Sequence, residues 1–464
     1  MIIEVTSREL LAEFLRRSGR PFPGDCGGSR GCGKCTVKLL SGIWESGGKL
    51  LTAPCPAVPC VTRLKSCIGA VEIPETPPEV PEVVSLWEHT SRELPDSPPV
   101  IAVDIGTTTL AAVRLEGGRI TGQAASFNGQ CVFGDNVMTR IARAGTPASF
   151  GELRKALLDS VGGLLKELDW GSCRRIAVAG NTVMSCFLHG VDPSPIGVAP
   201  FSAPEVRFPE RRDLWGDIPV FTVPCLTGLL GGDIAAGLHE APLEEGEMFI
   251  DLGTNCEIVF RTAGGLFGSS AAAGPAFEGA GITCGSRAAA GAVDHWYGAG
   301  RYSVIGGGPA RFVCGSGLLD ILAVERASGA LNAAGRFVSG ASRMAVAPGV
   351  TVSEKDIAEL LKAKAAVGSA VKALELYAGS PVRQLKLAGG FSRRLDPGSA
   401  RRIGLLPDLP AVFCGNLSLA GAARLAADPS CLPEMAAPGN ELREVHLNDL
   451  PGFAGLFTRA LRLP

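Results

Sequence analysis

The chain has 464 residues, of which 46% are hydrophobic and 19% charged, and a formal net charge of −2. That length and apolar content can bury a large core and favour two or three domains over one. Near-neutral charge without a basic run argues against a nucleic-acid partner, and no apolar stretch approaches the roughly 20 residues of a bilayer span.

Met1 leads directly into the strand-like IIEV without a signal-peptide pattern, so the expected location is the cytoplasm, with no membrane partner. Fifteen cysteines are an odd number, and nine are scattered from Cys131 onward among apolar neighbours. That scatter reads as reduced core thiols rather than a disulfide framework.

Thr6 and Glu9 have capping-box spacing, and Leu10, Leu11, Phe14 and Leu15 then fall on one face of a short helix that Gly19 ends. Next comes DCGGSRGCGKC, which sets Cys26, Cys32 and Cys35 at C-x5-C-x2-C spacing, with Cys67 after 31 further residues. A loop wrapping an iron–sulfur cluster turns its amides toward inorganic sulfides, and glycines permit that approach. The pattern resembles [2Fe–2S] ferredoxins of the plant and vertebrate type, whose fourth ligand arrives from a distant segment. KSCIGAVEIP looks like the cysteine-then-strand ending of such domains, which makes Cys67 the expected fourth ligand and Cys60 the reserve. Structural zinc held by CGKC with Cys55 and Cys60 is the competing metal. The resemblance implies a small β-grasp-like domain over residues 1–75, abbreviated because IIEV stands where that fold has its second strand.

Residues 76–99 continue a stretch rich in proline and glutamate, IPETPPEVPEVV and LPDSPP, which favours an extended spacer. At roughly 3 Å per residue it reaches on the order of 70 Å. Trp87 and His89 form at most a small anchor within it.

The large domain, residues 100–464, opens on VIAVDIGTTTL. An apolar strand ends in Asp104, Gly106 lets the backbone approach a ligand, and Thr107, Thr108 and Thr109 supply hydroxyl and amide donors. MFIDLGTN, residues 248–255, repeats the pattern with Asp251, Gly253, Thr254 and Asn255. Two such halves facing one another set two Asp-Gly-Thr turns across one cleft, with one aspartate from each wall for Mg²⁺ beside the phosphates. A third loop, LKLAGGF, ends a strand in Gly389 and Gly390. Together these resemble the ATP site of the actin, Hsp70 and sugar-kinase superfamily, which implies a duplicated, ribonuclease H-like α/β ATPase of two subdomains.

Between the loops, Gly117-Gly118 marks a hairpin and Asp135 precedes a helix-like stretch. Leu153, Leu157, Val161, Leu164, Leu165 and Leu168 mark an amphipathic helix before strand 176–179. Asn181 and Thr182 then either touch phosphate or cap a helix. Gly231-Gly232-Asp233 opens another helix, with Asp233 read as its N-cap ahead of a water-orienting carboxylate. Residues 271–294 are small and suit close backbone passage. Cys314-Gly315-Ser316-Gly317 suits nucleotide contact or a plain helix start. Ser353 and Asp356 form a capping box for a long helix carrying Ile357, Leu360, Leu361 and Leu374. GNLSLAGA leads into the last core helix, and EVHLNDLPGFAGLFTRAL reads as a closing strand and helix. His189, His239, His295 and His446 lack ligand spacing.

As a set, CGGSRGCGKC, VDIGTTT, GNTVM, DPSPIGVAPF, DLGTN, AGPAFEGAGITCG, CGSGLLD, LAGGF, IGLLP and GNLSLAGA resemble the reductive activators of corrinoid-dependent enzymes. The resemblance implies a [2Fe–2S] electron donor joined to an ATPase that reduces Co(II) corrinoid to Co(I), in an anaerobic setting. Its partners are a corrinoid protein of a methyltransferase system, an upstream low-potential donor and a second copy of the chain. Cys26, Cys32, Cys35 and Cys67 are then the cluster ligands, and Asp104 and Asp251 hold Mg²⁺. Gly106, Thr107, Gly253 and Thr254 cradle phosphates. Thr108, Asn181, Thr182, Asn255, Gly315 and Gly317 complete the nucleotide contacts, and Gly389 with Gly390 admits adenosine. Plant-type clusters lie near about −400 mV and the cobalt couple is implied to be lower. A gap of about 150 mV costs roughly 3.5 kcal/mol for one electron, which nucleotide can offset. Two departures stand out. Only the linker separates cluster and ATPase where longer members carry additional domains, and Cys256 stands where relatives have glycine. The rival readings are an activase-like electron donor to another low-potential metalloenzyme and a redox-sensing ATP-binding regulator.

Overall fold

The structure, a computed structural model, describes residues 2–17, 36–73, 93–134 and 136–464. Cys26, Cys32, Cys35, Gly19, Trp87, His89 and Asp135 lie outside the described residues.

In the amino-terminal unit, the antiparallel strands Ile2–Val5, Gly69–Glu72, Val37–Ser41 and Cys55–Ala57 form one sheet in that spatial order. The short helix Leu11–Arg17 supplies Leu11 and Leu15 to the core of this unit, with Val5, Val37, Leu39 and Val71 from the strands. Alternation does the sorting, because every second strand residue points inward. A second sheet of Lys49–Thr52, Ile43–Ser46 and Thr62–Leu64 contributes the fully buried Trp44, whose Nε1 donates to the Ser41 carbonyl at 2.9 Å.

The end of the expected spacer is seated on the large domain. Leu94 packs against that domain's core, Ser97 is buried, and the Gly117 amide donates to the Ser97 carbonyl at 2.9 Å.

The large domain repeats one topology. In the first lobe the sheet order is Arg119–Phe127, Thr109–Glu116, Val100–Ile105, Ile176–Gly180, Val220–Thr222. The first three strands are antiparallel, and the last two run parallel to Val100–Ile105. In the second lobe Gly265–Ala271, Cys256–Thr262, Glu247–Leu252, Gln384–Ala388 and Ala411–Gly415 take the same places and directions, with Leu442–Glu444 added at one edge. Val100–Ile105 and Glu247–Leu252 are thus equivalent central strands. Both are near-continuous apolar runs, as strands covered on two faces must be. The helix Pro147–Glu167, capped by Thr146, covers the first sheet with Leu153, Leu157, Val161, Leu164 and Leu165.

Two helices, Gly232–Glu240 and Leu417–Ala427, pack on each other beneath the junction of the lobes. Their approach is close enough that a Cβ on Gly421 would lie 2.4 Å from the Ala236 methyl. Arg424 ties them with a buried ion pair to Glu240, at 2.5 and 3.0 Å. One apolar cluster runs through both lobes here, joining Val100, Ala102 and Ala177 to Phe249, Val259 and Leu417. The two central strands therefore end over a shared, packed floor.

Candidate functional site

Strand ends deliver side chains to one edge, so the duplicated topology sets two turns face to face above that floor. The cleft between them is lined by Asp104, Gly106, Thr107, Thr108, Asn181, Asp251, Gly253, Thr254, Asn255, Gly315, Gly389 and Gly390, all expected from the sequence. Thr182 and Gly317 are corrections, since neither lines it. Thr182 is 1% exposed and its hydroxyl donates to the Thr227 carbonyl at 2.7 Å. Gly317 packs beneath strand Ala292–Gly298, where a Cβ would meet the Val293 carbonyl at 2.5 Å. Each sits one or two residues past a pocket residue at a helix start, and the helical turn rotates it away.

On the first wall, the Gly106 amide donates to the Thr109 carbonyl at 3.0 Å, closing the turn. Asn128 Nδ2 donates to the Gly106 carbonyl at 2.9 Å, and Asn181 Nδ2 to Thr107 Oγ1 at 3.0 Å. Asn181 also caps helix Thr182–His189 by accepting from the Met184 amide, so it is both a cap and a neighbour of the turn. On the second wall, the Gly253 amide donates to the Asn255 carbonyl at 2.9 Å. Cys256 begins the next strand and is buried in the core of the second lobe, outside this turn. Gly389 has φ +89°, and a Cβ there would lie 2.4 Å from Asp251 Oδ1, so glycine is required for the turn to pack over the aspartate. Phe277 and Phe391 stack at 5.1 Å as an apolar wall.

The cleft floor is acidic. Asp104 Oδ1 accepts from Ser418 Oγ at 2.6 Å and Oδ2 from Asn416 Nδ2 at 3.0 Å. Asp233, Asp251 and Glu257 line the same space. Burial pushes all four carboxyls up: Asp233 to about 7, with Asp104 adding repulsion, and Asp251 to about 8, with Asp233 and Asp104 adding theirs. Such a cluster stores electrostatic cost that a bound cation would relieve. The Gly231 backbone holds the N-cap position and Asp233 stands inside the helix facing the cleft, which corrects its reading as a cap.

Glu257, Glu278, Arg287, Asn416 and Ser418 were not singled out from the sequence. A lone charge in the apolar run CEIVF was the one signal for Glu257. The four histidines have local partners: His189 with Thr222, His239 with Glu240, His295 with Asp320 and His446 with Glu444. Among the described residues no three His, Cys, Asp or Glu side chains converge as a metal-holding group, and no helix is long and apolar enough to cross a membrane.

In the amino-terminal unit Cys67 is exposed in a bend ahead of strand Gly69–Glu72. Ser66 braces that bend, accepting from the Ile43 amide at 3.1 Å and donating to the Ile68 carbonyl at 2.8 Å. Cys60 is 2% exposed, in a small apolar cluster with Ala12.

Duplicated sheets with paired Asp-Gly-Thr turns define a protein of the actin, Hsp70 and sugar-kinase fold class. Residues 245–464 match the family model described as the C-terminal domain of RACo, the ASKHA domain, and residues 100–246 match the RACo middle region. Residues 1–65 match the 2Fe-2S iron–sulfur cluster binding domain, a match that stops just short of Cys67. The chain belongs to the RACo family, whose two models together match residues 100–464. The middle-region match falls on the first lobe. Among curated relatives, the corrinoid activation enzyme RamQ of Eubacterium limosum is 28% identical over 360 residues, covering 67% of this chain and 61% of its own length. The [Co(II) methylated amine-specific corrinoid protein] reductase of Methanosarcina barkeri is 24% identical over 330 residues, covering 61% of each chain. The chain thus spans about 61% of these relatives' lengths. The solved reductive activator for corrinoid, iron–sulfur protein superposes with a TM-score of 0.71 at 24% identity, over 99% of this chain and 96% of that one.

Proposed function

We propose that the chain is an ATP-dependent reductive activator, passing one electron from a [2Fe–2S] cluster to the Co(II) of a corrinoid protein. The products are Co(I) corrinoid and the oxidised cluster, while ATP and water become ADP and phosphate. The single observation that carries the ATP half is the pair of turns around Asp104 and Asp251, facing each other across one acidic cleft.

The donor set fits Mg²⁺–ATP. Mg²⁺ keeps several waters and takes one or two carboxylates plus phosphate oxygens, and Asp104 and Asp251 supply two carboxylates to the cleft. Asn416 and Ser418 hold Asp104 in place for that role, and Asp251 faces it from the other wall. The Gly106 and Gly253 turns, with Thr107, Thr108, Thr254, Asn255 and Asn181, present amides and hydroxyls to the phosphates. Gly389, Gly390 and Gly315 give adenosine room beside the Phe277–Phe391 wall. Asp233 is placed to orient the attacking water.

Cys26, Cys32, Cys35 and Cys67 are the thiolates for the cluster, which when bound supplies the electron. The described member of that set fits: Cys67 is exposed at a braced bend where Cys60 is buried among apolar groups. Both lobes meet at the helices Gly232–Glu240 and Leu417–Ala427, so nucleotide between the turns favours the closed arrangement and biases partner docking. The setting is the cytoplasm, with a low-potential donor upstream and two copies of the chain as the working unit.

The test mixes the anaerobically reconstituted protein, a strong reductant and a purified Co(II) corrinoid protein from a methyltransferase system, with and without ATP. The Co(I) absorbance band should grow only with ATP. Equal reduction without ATP, no reduction with it, or zinc in place of iron and sulfide would overturn the reading.

A further inference from the structure

We propose that Arg287 is the clamp for the terminal phosphate of the bound nucleotide, carried by the second lobe and seated against the first. This rests on the nucleotide reading of the cleft and adds a residue that the repeated turns do not contain.

Arg287 belongs to the loop of small residues between helix Pro275–Glu278 and strand Ala292–Gly298, on the second lobe. Its guanidinium lies 4.4 Å from the centroid of the Phe127 ring, which belongs to the first lobe. Phe127 is the register partner of Thr109, and the neighbouring Asn128 amide donates to the Thr108 carbonyl at 2.9 Å. The ring under the arginine is therefore fixed directly beside the first phosphate turn.

The guanidinium's hydrogen-bonding capacity is unspent. Among the described residues its Nε is buried with no hydrogen-bond partner, and Arg287 forms no ion pair with them although the cleft it lines is acidic. Arg394, which shares the cleft, is committed to Asp294 at 3.0 Å. A planar fork held by ring stacking, with its donors unpaired, suits a phosphate better than it suits a structural salt bridge. Because the arginine comes from one lobe and its seat from the other, the clamp is complete only when the lobes are together. An anion reaching past the second phosphate group would then report closure through Arg287.

The experiment is calorimetric titration of the full-length holoprotein with Mg²⁺–AMP-PNP and with Mg²⁺–ADP, for the parent, Arg287→Ala, Arg287→Lys and Phe127→Leu. Arg287→Ala should weaken AMP-PNP about 10- to 100-fold while changing ADP less than about 3-fold, the range for one charge-assisted contact. Arg287→Lys should restore only part, since an ammonium lacks the fork and the stack. Phe127→Leu should weaken AMP-PNP by less than Arg287→Ala. Equal loss for both nucleotides, or no loss, overturns the clamp while leaving the cleft's function standing. If the parent binds neither nucleotide, the ATP reading itself falls. Thermal melts of each variant separate misfolding from lost contacts.

Discussion

Thr108 and Thr254 touch across the cleft, hydroxyl to hydroxyl at 3.2 Å, from turns 146 positions apart in the chain. Thr254 Oγ1 also donates to Glu278 Oε1 at 2.8 Å. A hydroxyl has one proton, so Thr108 must be the donor between the two threonines. The chain Thr108, Thr254, Glu278 is thus directional and joins the lobes at the point where phosphate is expected. Thr254→Val breaks both links and leaves a carboxylate without its donor, which costs about 1–3 kcal/mol. Thr108→Val breaks one and should cost less. In nucleotide-free denaturant unfolding the double variant should be less destabilised than the sum of the singles, as contacting residues require. Strict additivity would show that the contact has no energetic consequence.

The cleft carboxyls make the protein's stability depend on pH in a direction opposite to the usual aspartate. Burial raises Asp233 to about 7 and Asp251 to about 8 from an ordinary value of 3.8. The native state therefore retains protons that the unfolded chain has released. Their contribution is complete below about pH 4 and is lost as pH rises through 7 and 8. Nucleotide-free protein should melt progressively lower from about pH 4 to about pH 8 and level off above that. Asp251→Asn, which imitates the protonated acid, should melt higher than the parent at the alkaline end and lose Mg²⁺–nucleotide binding. For the parent, that binding should tighten over the same window and release protons, readable by calorimetry in buffers of different ionisation heat. Identical melting curves for parent and Asp251→Asn would refute the argument.

How much of this was legible follows from which contacts are local. Asp104, Gly106, Asp251, Gly253 and Gly389 lie in strand-to-turn segments whose shape their own neighbours dictate, and all reach the cleft. The duplicated sheet order followed from the repeated motif. Asn416 and Ser418, by contrast, meet Asp104 from 312 and 314 positions away. Nothing within GNLSLAGA distinguishes a residue that caps a helix from one that also grips a carboxylate. Thr182 and Gly317 failed for the converse reason. A polar or glycine helix start looks the same whether it faces a ligand or a neighbouring strand, and only packing decides. Arg287 stacks on a ring 160 positions earlier, and its loop of alanines and glycines encodes no orientation.

Helix Leu417–Ala427 connects the cleft to the tether. Its start carries Asn416 and Ser418 on Asp104, and its last turn carries Arg424 on Glu240, with Nη1 donating to the Glu93 carbonyl at 3.3 Å. Glu240 is 1% exposed, so Arg424→Met removes its guanidinium partner, leaves the buried carboxylate on His239, and should destabilise by about 1–3 kcal/mol. The double variant Arg424→Met with Glu240→Met replaces the pair by apolar groups and should recover much of that loss. Urea unfolding of the single and double variants measures both, and a double variant no more stable than the single would reject the buried-pair account.

The fourth cluster ligand separates on exposure. On the proposed ligand set, the fourth thiolate must reach a cluster on Cys26, Cys32 and Cys35. Cys67 is exposed at a bend that Ser66 pins to Ile43, whereas Cys60 is packed against Ala12. Cys67→Ser should therefore abolish or sharply reduce the visible absorbance and the reduced-state paramagnetic signal of a [2Fe–2S] cluster after anaerobic reconstitution. Cys60→Ser should leave the spectrum intact. Iron and sulfide content per chain, measured on both variants, gives the same answer without reference to activity. A Cys60→Ser protein that loses its cluster while Cys67→Ser retains it would move the ligand to the buried position and require the Pro59–Val61 turn to open when iron binds.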